Sequence, residues 1–147
     1  MYGSGQSFEG PYGSVIPKIS EKIARGETPI IYGDGFQSRD FIHVSDVAQS
    51  ILKLLNIHWD GTISPVYNIA TQRQTSLLDL IEIINSSCLK LGLIQNPLKP
   101  VFEETRSGDI QHSVASIERV TKEIGWKPLM EIEHGIHQLI KQNWGIE

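Results

Sequence analysis

Two arginines, each close to an acidic residue in a predicted loop, are the side chains of this sequence best suited to bind a charged ligand. Arg39 precedes Asp40 where an extended run begins, and Arg106 opens the sequence Arg-Ser-Gly-Asp that ends at Asp109. A guanidinium group matches phosphate oxygens with two parallel hydrogen bonds, so two arginines converging from separate loops would clamp a diphosphate. Alternatively, both are surface arginines paired with Asp40, Asp109 or Glu104. Spacing alone leaves both interpretations open.

The sequence contains no complete catalytic or cofactor-binding motif of the kinds that can be recognised by spacing. The glycine pairs at 3–5 and 33–35 begin like a dinucleotide-binding loop, but each lacks the third glycine and is more typical of a turn. No tyrosine is followed by lysine in the pattern Tyr-x-x-x-Lys, and no Gly-x-Ser-x-Gly sequence is present. The sequence therefore predicts no catalytic residue within these 147 positions.

Metal and thiol chemistry are also not indicated. His134 and His137 share a predicted helix at a spacing of three, but without a third ligand we expect them on a solvated face. The single cysteine, Cys88, lies on an apolar helical stripe and is interpreted as an inert core residue. One cysteine excludes an intrachain disulfide and is compatible with a reducing compartment.

Composition and charge restrict the class of protein and its partners. The chain has 147 residues, 39% of them hydrophobic, which suffices for one globular core. The net charge of −4 and the lack of a basic block argue against nucleic acid as a partner. No apolar stretch approaches the roughly 20 residues of a membrane span, and no signal segment opens the chain. We therefore expect a soluble, cytoplasmic protein without membrane contact.

Hydrophobic periodicity predicts alternating helices and strands, which indicates an α/β or α+β fold. Residues 3–14 are rich in turn formers and predict a connecting loop or, alternatively, a disordered leader. The predicted strands are 29–32, 40–44, 66–70 and 99–103. One helix is predicted to begin from Ser14, three more follow N-caps at Ser45, Ser76 and Ser116, and a last one covers 132–144. The helix after Ser45 has an apolar stripe over Val47, Ala48, Ile51, Leu52 and Leu55.

Three ordered stretches give the chain a family resemblance. They read IYGDGFQSRDFIHVSDVAQSILKLL, then VYNIATQRQTSLLDLIEII, then RSGDIQHSVASIERVTKEIGWKP. Together with the opening Tyr-Gly and the run GPYGSVIPKI, they closely resemble the C-terminal half of the NAD-dependent nucleotide-sugar epimerases and dehydratases. These enzymes form the extended short-chain dehydrogenase/reductase family. The resemblance covers essentially the whole chain.

The resemblance implies an α/β fold that is the C-terminal, substrate-binding part of an extended Rossmann-type protein. Residues 1–147 would form the nucleotide-sugar binding region, and the segment Val66 to Ala70 would be a strand of the Rossmann sheet of the complete protein. The family's N-terminal part, which carries the NAD loop and the Tyr-x-x-x-Lys pair, is absent, so we expect a fragment. Such a fragment would expose apolar faces and would be oligomeric or retain an N-terminal piece.

By the same resemblance, two segments would flank the nucleoside base. Ser14, Val15, Ile16 and Pro17 match the family segment that packs beside the base. Tyr32 matches an aromatic-bearing strand that also flanks the base.

The resemblance gives the two arginines and one aspartate distinct roles. Arg39 would contact the diphosphate, Arg106 would contact phosphate, and Asp109 would contact ribose. The family usually has proline where Ser107 stands, and often aspartate where Ser116 stands. These roles favour the diphosphate clamp over ordinary surface pairing.

In the family, NAD accepts a hydride from sugar C4; epimerases return it to the other face and dehydratases eliminate water. The resemblance favours the substrate-binding portion of a 4-epimerase of the UDP-glucose/UDP-galactose type, homodimeric when complete, with NAD bound mainly by the absent half. Alternatives are a dTDP-glucose 4,6-dehydratase-type enzyme or a catalytically inactive nucleotide-sugar binding module.

Overall fold

The computed structural model describes residues 1–6, 14–58, 66–105 and 107–146. Its helices are α1 (Val15–Ala24), α2 (Val44–Leu55), α3 (Leu77–Lys90), α4 (Glu118–Ile124) and α5 (Ile132–Asn143). Its strands are β1 (Ile30–Tyr32), β2 (Ser38–Arg39), β3 (Thr75–Ser76) and β4 (Val101–Glu103). Within these residues, no helix has the length and apolarity needed to cross a membrane.

The strands form two small sheets that connect distant parts of the chain. β1 pairs with β4 in parallel, with Ile31 opposite Phe102. β2 pairs with β3 antiparallel, with Ser38 opposite Ser76 and Arg39 opposite Thr75. The alternating helices and mixed strands confirm the predicted α/β class, and the strands expected at 29–32 and 99–103 are confirmed.

The strand predicted over 40–44 is wrong, because β2 ends at Arg39 and α2 already begins at Val44. The segment after β2 is held by side-chain contacts of Asp40 and by one isolated parallel bridge between His43 and Tyr2. The carboxylate of Asp40 accepts hydrogen bonds from the amide and hydroxyl of Thr71, at 2.8 and 2.6 Å, and from the amide of Gln72, at 2.9 Å. The Tyr2 amide also donates to the Ile42 carbonyl at 2.9 Å, and the Val44 amide donates to the Tyr2 carbonyl at 2.7 Å. A single parallel bridge to Tyr2 therefore takes the place of the predicted strand before the helix begins.

Two helices begin at a residue other than the one predicted. The N-cap of α2 is His43, whose Nδ1 accepts from the amide of Ser45, so the imidazole performs the role expected of the Ser45 hydroxyl. The N-cap of α4 is Ile117, one residue after Ser116, and its amide donates to Gln72 Oε1 at 2.9 Å. By contrast, the capping box predicted at the start of α3 is confirmed.

Three helices enclose the main core. α3 packs against both α1 and α5, and their apolar stripes meet between them. The fully buried side chains of this core include Ile16, Ile23, Leu80, Ile84, Ile136, Leu139 and Ile140. A second, smaller cluster of buried residues comprises Ile42, Val120 and Trp126.

Residues 66–69, predicted as part of a strand, pair with no strand among the described residues. Val66 is 80% exposed, although an apolar residue in a parallel sheet would be covered on both faces. Membership of this segment in the sheet of a complete protein stays a prediction.

The apolar stripe of α2 faces outward over most of its length. Ile51, Leu52 and Leu55 are 52%, 61% and 76% exposed, whereas the polar Asp46 and Ser50 of the same helix are buried. An apolar face of this kind is unusual on a monomer and marks an interaction surface. The periodicity predicted the helix correctly, but not that its apolar face would lack a partner among the described residues.

We expect the isolated 16.5 kDa chain to self-associate or to carry a bound polypeptide, because burying the α2 face removes apolar surface from water. Sedimentation velocity measures this directly. Leu55→Lys should shift the distribution toward monomer, whereas Leu89→Lys, which alters an exposed leucine on α3, should not. A monodisperse wild-type monomer would contradict this expectation.

Candidate functional site

A cleft of about 510 Å³ opens between α1, the β1–β2 segment and the loop after β4. Its size falls within the range of small-molecule sites, about 300–1,000 Å³. One wall is apolar and is formed by Val15, Ile19, Ile30 and Leu77. The polar side chains that line it are Lys18, Tyr32, Gln37, Arg39, Ser107 and Asp109. The cleft thus combines an apolar wall, an aromatic ring and charged groups.

Arg39 is held in the cleft by contacts from two directions. Its Nη2 donates to Asp109 Oδ1 at 2.8 Å, and its Nη1 donates to the carbonyl oxygens of Ser38 at 2.9 Å and Gln111 at 3.4 Å. The amide of Ser38 also donates to the carbonyl of Gln111, which draws the loop after β4 alongside β2. This backbone contact explains why Asp109, 70 residues away in sequence, lies beside Arg39.

The acidic neighbours of the arginines have different roles. Among the partners weighed from the sequence, Arg39 pairs with Asp109, and the carboxylate of Asp40 binds Thr71 and Gln72. Arg106 lies outside the described residues, so the convergence of two arginines stays a prediction. Gly108, in the same loop, has a φ of +83°, a conformation that favours glycine.

The four residues predicted to lie beside the nucleoside base divide between cleft and core. Val15 lines the cleft. Ile16 and Pro17 are buried in the core and do not line the cleft. Ser14 occupies the N-cap position of α1, without a side-chain capping bond. Tyr32, also predicted to flank the base, lines the cleft as well, so the structure brings it together with Val15.

Two cleft residues, Lys18 and Gln37, were missed by sequence reasoning, although simple periodicity could have found them. Lys18 follows Val15 by three positions in α1, and Gln37 precedes Arg39 by two in extended chain, so each shares a face with a predicted site residue. Gln37 is 5% exposed, and its Nε2 donates to the carbonyl of Tyr32 at 2.6 Å. This bond fixes the amide against the end of β1.

The other candidate groups lie away from the cleft. Cys88 is buried as predicted, and its burial raises the pKa of the thiol to about 11, which keeps it protonated and unreactive. His134 and His137 line a separate groove between α3 and α5. The described residues contain no group of three or more histidine, cysteine or acidic side chains that could hold a metal ion.

Comparison with known proteins places this arrangement in a family. Residues 1–70 match the family described as NAD dependent epimerase/dehydratase. The chain is 33% identical over 144 residues to a putative UDP-glucose 4-epimerase of Methanocaldococcus jannaschii, across 98% of this chain and 42% of that protein. This chain belongs to the NAD-dependent epimerase/dehydratase family.

Solved structures of nucleotide-sugar epimerases share the fold. The UDP-glucose 4-epimerase of Thermotoga maritima, solved with UDP-glucose, superimposes with a TM-score of 0.83 at 26% identity, over 99% of this chain and 44% of that one. The UDP-N-acetylglucosamine 4-epimerase of Methanobrevibacter ruminantium, in complex with UDP-N-acetylmuramic acid, gives 0.82 at 31% identity, over 99% and 44%. The chain therefore spans less than half the length of these two structures. The same holds for its curated relatives, which include nucleotide-sugar epimerases and a reductase.

The glycine pair at 33–35 forms a turn that packs on α3. Gly35 has a φ of +83°, and a Cβ there would lie 2.8 Å from Leu78 Cγ, so glycine at this position permits close packing of the turn on α3. The amide of Phe36 is already bonded to Asp34 Oδ1 at 3.0 Å. These contacts confirm the turn predicted at 33–35.

The N-terminus of α2 introduces a dependence of stability on pH. His43 is buried, which lowers the pKa of its imidazole below 6.5, with the nearby His134 lowering it further and Asp46 opposing. Neutral Nδ1 accepts from the Ser45 amide, and a protonated ring cannot. The stabilising contribution of His43 is therefore complete above about pH 6.5 and is lost as the pH falls through the folded-state pKa.

We expect wild-type protein to lose more free energy of unfolding than His43→Asn between about pH 8 and about pH 5. Asparagine keeps an N-cap acceptor but does not titrate. Urea unfolding across this range measures the difference. If the free energy of unfolding changed with pH in the same way for both proteins, the prediction would be wrong, because His43 would then have the same pKa in the folded and unfolded chains.

Proposed function

We propose that this chain is the nucleotide-sugar binding portion of an NAD-dependent 4-epimerase of the UDP-glucose/UDP-galactose type. The observation that carries the proposal is the cleft in which Tyr32, Arg39 and Asp109 converge on an apolar wall from α1. An aromatic ring, a guanidinium and a carboxylate match the base, the diphosphate and the ribose of a nucleotide sugar, in that order. Two similar proteins are named as UDP-glucose 4-epimerases, which supports UDP as the nucleotide and epimerisation as the reaction class.

Each residue of the cleft has a role in holding the ligand. Tyr32 and Val15 flank the base, and Ser14, Ile16 and Pro17 support that wall at the start of α1 without lining the cleft. Arg39 binds the diphosphate, joined by Arg106, and Asp109 accepts hydrogen bonds from the ribose hydroxyls. Fixing the diphosphate orients the sugar at the end of it, and such positioning is the contribution of this chain to catalysis.

The redox chemistry belongs to the complete enzyme. Bound NAD would supply reversible hydride acceptance at sugar C4, and the residues that bind it lie outside this chain in our proposal. We also propose that the complete enzyme is a cytoplasmic homodimer. The buried free thiol of Cys88 is compatible with a reducing compartment.

The proposal is tested by measuring binding and turnover on the same sample. Isothermal titration of the chain with UDP, UDP-glucose and dTDP should show saturable binding of UDP and UDP-glucose. Incubation with UDP-galactose and NAD should yield no UDP-glucose, because the chain contains no Tyr-x-x-x-Lys pair. Absence of UDP binding would contradict the proposal, and tighter binding of dTDP would contradict its choice of nucleotide.

A further inference from the structure

The segment between β4 and α4 has little apolar anchorage of its own. Its described residues from 104 to 114 are exposed, so burial in the hydrophobic core does not determine where they lie. Polar contacts must therefore hold this segment in place. Among the described residues, the hydrogen bonds that reach positions 107–113 from outside the segment come from two neighbours in β2, Ser38 and Arg39.

Ser38 is the fixed end of this connection. It is 5% exposed and pairs with Ser76 of β3. On its other side it forms an isolated parallel bridge to His112, in which its amide donates to the Gln111 carbonyl at 2.7 Å and its carbonyl accepts from the Ser113 amide at 3.1 Å. The Ser38 hydroxyl also shares a hydrogen bond of 2.9 Å with His112 Nδ1. Ser38 therefore joins the exposed segment to the paired strands.

We propose that the side-chain bond between Ser38 and His112 positions the loop of residues 107–110 for ligand binding, so that both are positioning residues of the cleft. The two backbone bonds of the bridge lie along the edge of β2, and a loop held by them alone can rotate about that edge. Side chains stand roughly perpendicular to a sheet, so the hydroxyl–imidazole bond lies off that line and opposes the rotation. This inference rests on the proposed function.

The hydroxyl–imidazole bond does not involve the groups that line the cleft. The other side-chain contacts that reach positions 107–113 in the described structure come from Arg39, which lines the cleft and is available to a ligand. Neither Ser38 nor His112 belongs to the lining. Their bond therefore persists when a ligand engages the guanidinium, and it keeps the loop in place at that stage.

The test is a double-mutant cycle on UDP affinity, measured by isothermal titration. Ser38→Ala and His112→Leu each remove one partner of the bond, and we expect each to raise the Kd for UDP about three- to tenfold. The double variant should bind no more weakly than the weaker single variant, because both substitutions remove the same contact. Ser38→Thr keeps a hydroxyl, and His112→Asn keeps a polar atom near the position of Nδ1, so each should restore most of the affinity.

Two control variants separate positioning from a general loss of stability. Ser50→Ala removes another buried serine hydroxyl, which donates to the Val47 carbonyl at 2.7 Å on α2. His137→Leu removes a histidine that lies outside the cleft lining, in the groove between α3 and α5. Both controls should leave the Kd for UDP within about twofold of wild type, because they share no contact with the loop.

A second readout needs no ligand. The steady-state ¹H–¹⁵N NOE of the Gly108 and Asp109 amides reports fast motion of the loop. We expect it to fall in Ser38→Ala and in His112→Leu, and to return to the wild-type value in Ser38→Thr. An unchanged NOE in both single variants would contradict the proposed anchoring of the loop.

The binding data can overturn the inference in three ways while wild type still binds UDP. Both single variants could bind UDP as tightly as wild type, or their effects could multiply in the double variant. Ser50→Ala could also weaken binding as much as Ser38→Ala, which would make the effect one of stability. The proposed function survives all three results. If wild type does not bind UDP, the proposed function fails, and the NOE decides alone whether the bond holds the loop.

Discussion

Arg39→Ala should weaken UDP binding by about 1–3 kcal/mol, roughly 5- to 150-fold in Kd. Among the residues that the structure describes, Arg39 is the arginine that lines the cleft. Charge-assisted hydrogen bonds to phosphate are among the stronger polar contacts in proteins. Its ion pair with Asp109 is partly exposed, so its loss should change the free energy of unfolding by no more than about 1 kcal/mol. The variant therefore separates a binding role from a structural one.

Two further variants make the Arg39 measurement specific. Arg25→Ala removes an exposed arginine that pairs with Glu21 on α1, outside the described lining of the cleft, and should leave UDP affinity unchanged. Arg39→Lys keeps the charge but not the planar fork, so we expect an intermediate affinity. Isothermal titration gives all four Kd values. Equal affinity in wild type and Arg39→Ala would remove Arg39 from the proposed clamp.

Trp126→Ala should lower the free energy of unfolding by about 3–5 kcal/mol, the largest effect on stability that we expect from a single substitution. Trp126 is 0% exposed and packs with Ile42 and Val120 in the smaller core. The indole leaves a large cavity when removed, and this core connects the segment before α2 with α4.

The size of the Trp126 effect is checked by urea unfolding with two companion variants. Trp126→Phe keeps most of the packing and removes an indole N–H that is buried without a hydrogen-bond partner, so it should cost much less than alanine. Leu129→Ala changes a side chain that is 71% exposed and should cost less than about 0.5 kcal/mol. A similar loss in Leu129→Ala and Trp126→Ala would contradict the described burial.

The helices were predictable because each carries its own local signal. The capping box of Ser76 and Asp79 defines the start of α3, and Gly125, with a φ of +66°, ends α4 as expected. β2 and β3 span two residues each, too short for an alternating pattern, and their position depends on pairing across more than 30 residues. This long-range register explains why the strand was predicted at 40–44 instead of at 38–39.

The individual site residues were easier to predict than the contacts between them. Arg39 and Asp109 both stand in motifs of the sequence, and the structure places both in one cleft. Their direct ion pair depends on the bond between the Ser38 amide and the Gln111 carbonyl, a contact that no local pattern encodes. Gln37 was missed because a glutamine beside a turn has no distinctive chemistry of its own; its spacing of two from Arg39 was the available signal, and the structure adds the bond from its amide to the Tyr32 carbonyl.

The most direct test of the nucleotide-sugar site is a ¹H–¹⁵N correlation spectrum of the chain titrated with UDP. We predict that the amides of Tyr32, Arg39, Gly108 and Asp109 shift in a saturable manner. The amides around the separate groove lined by His134 and His137 should not move. Shifts confined to that groove, or no saturable shift at all, would contradict the account.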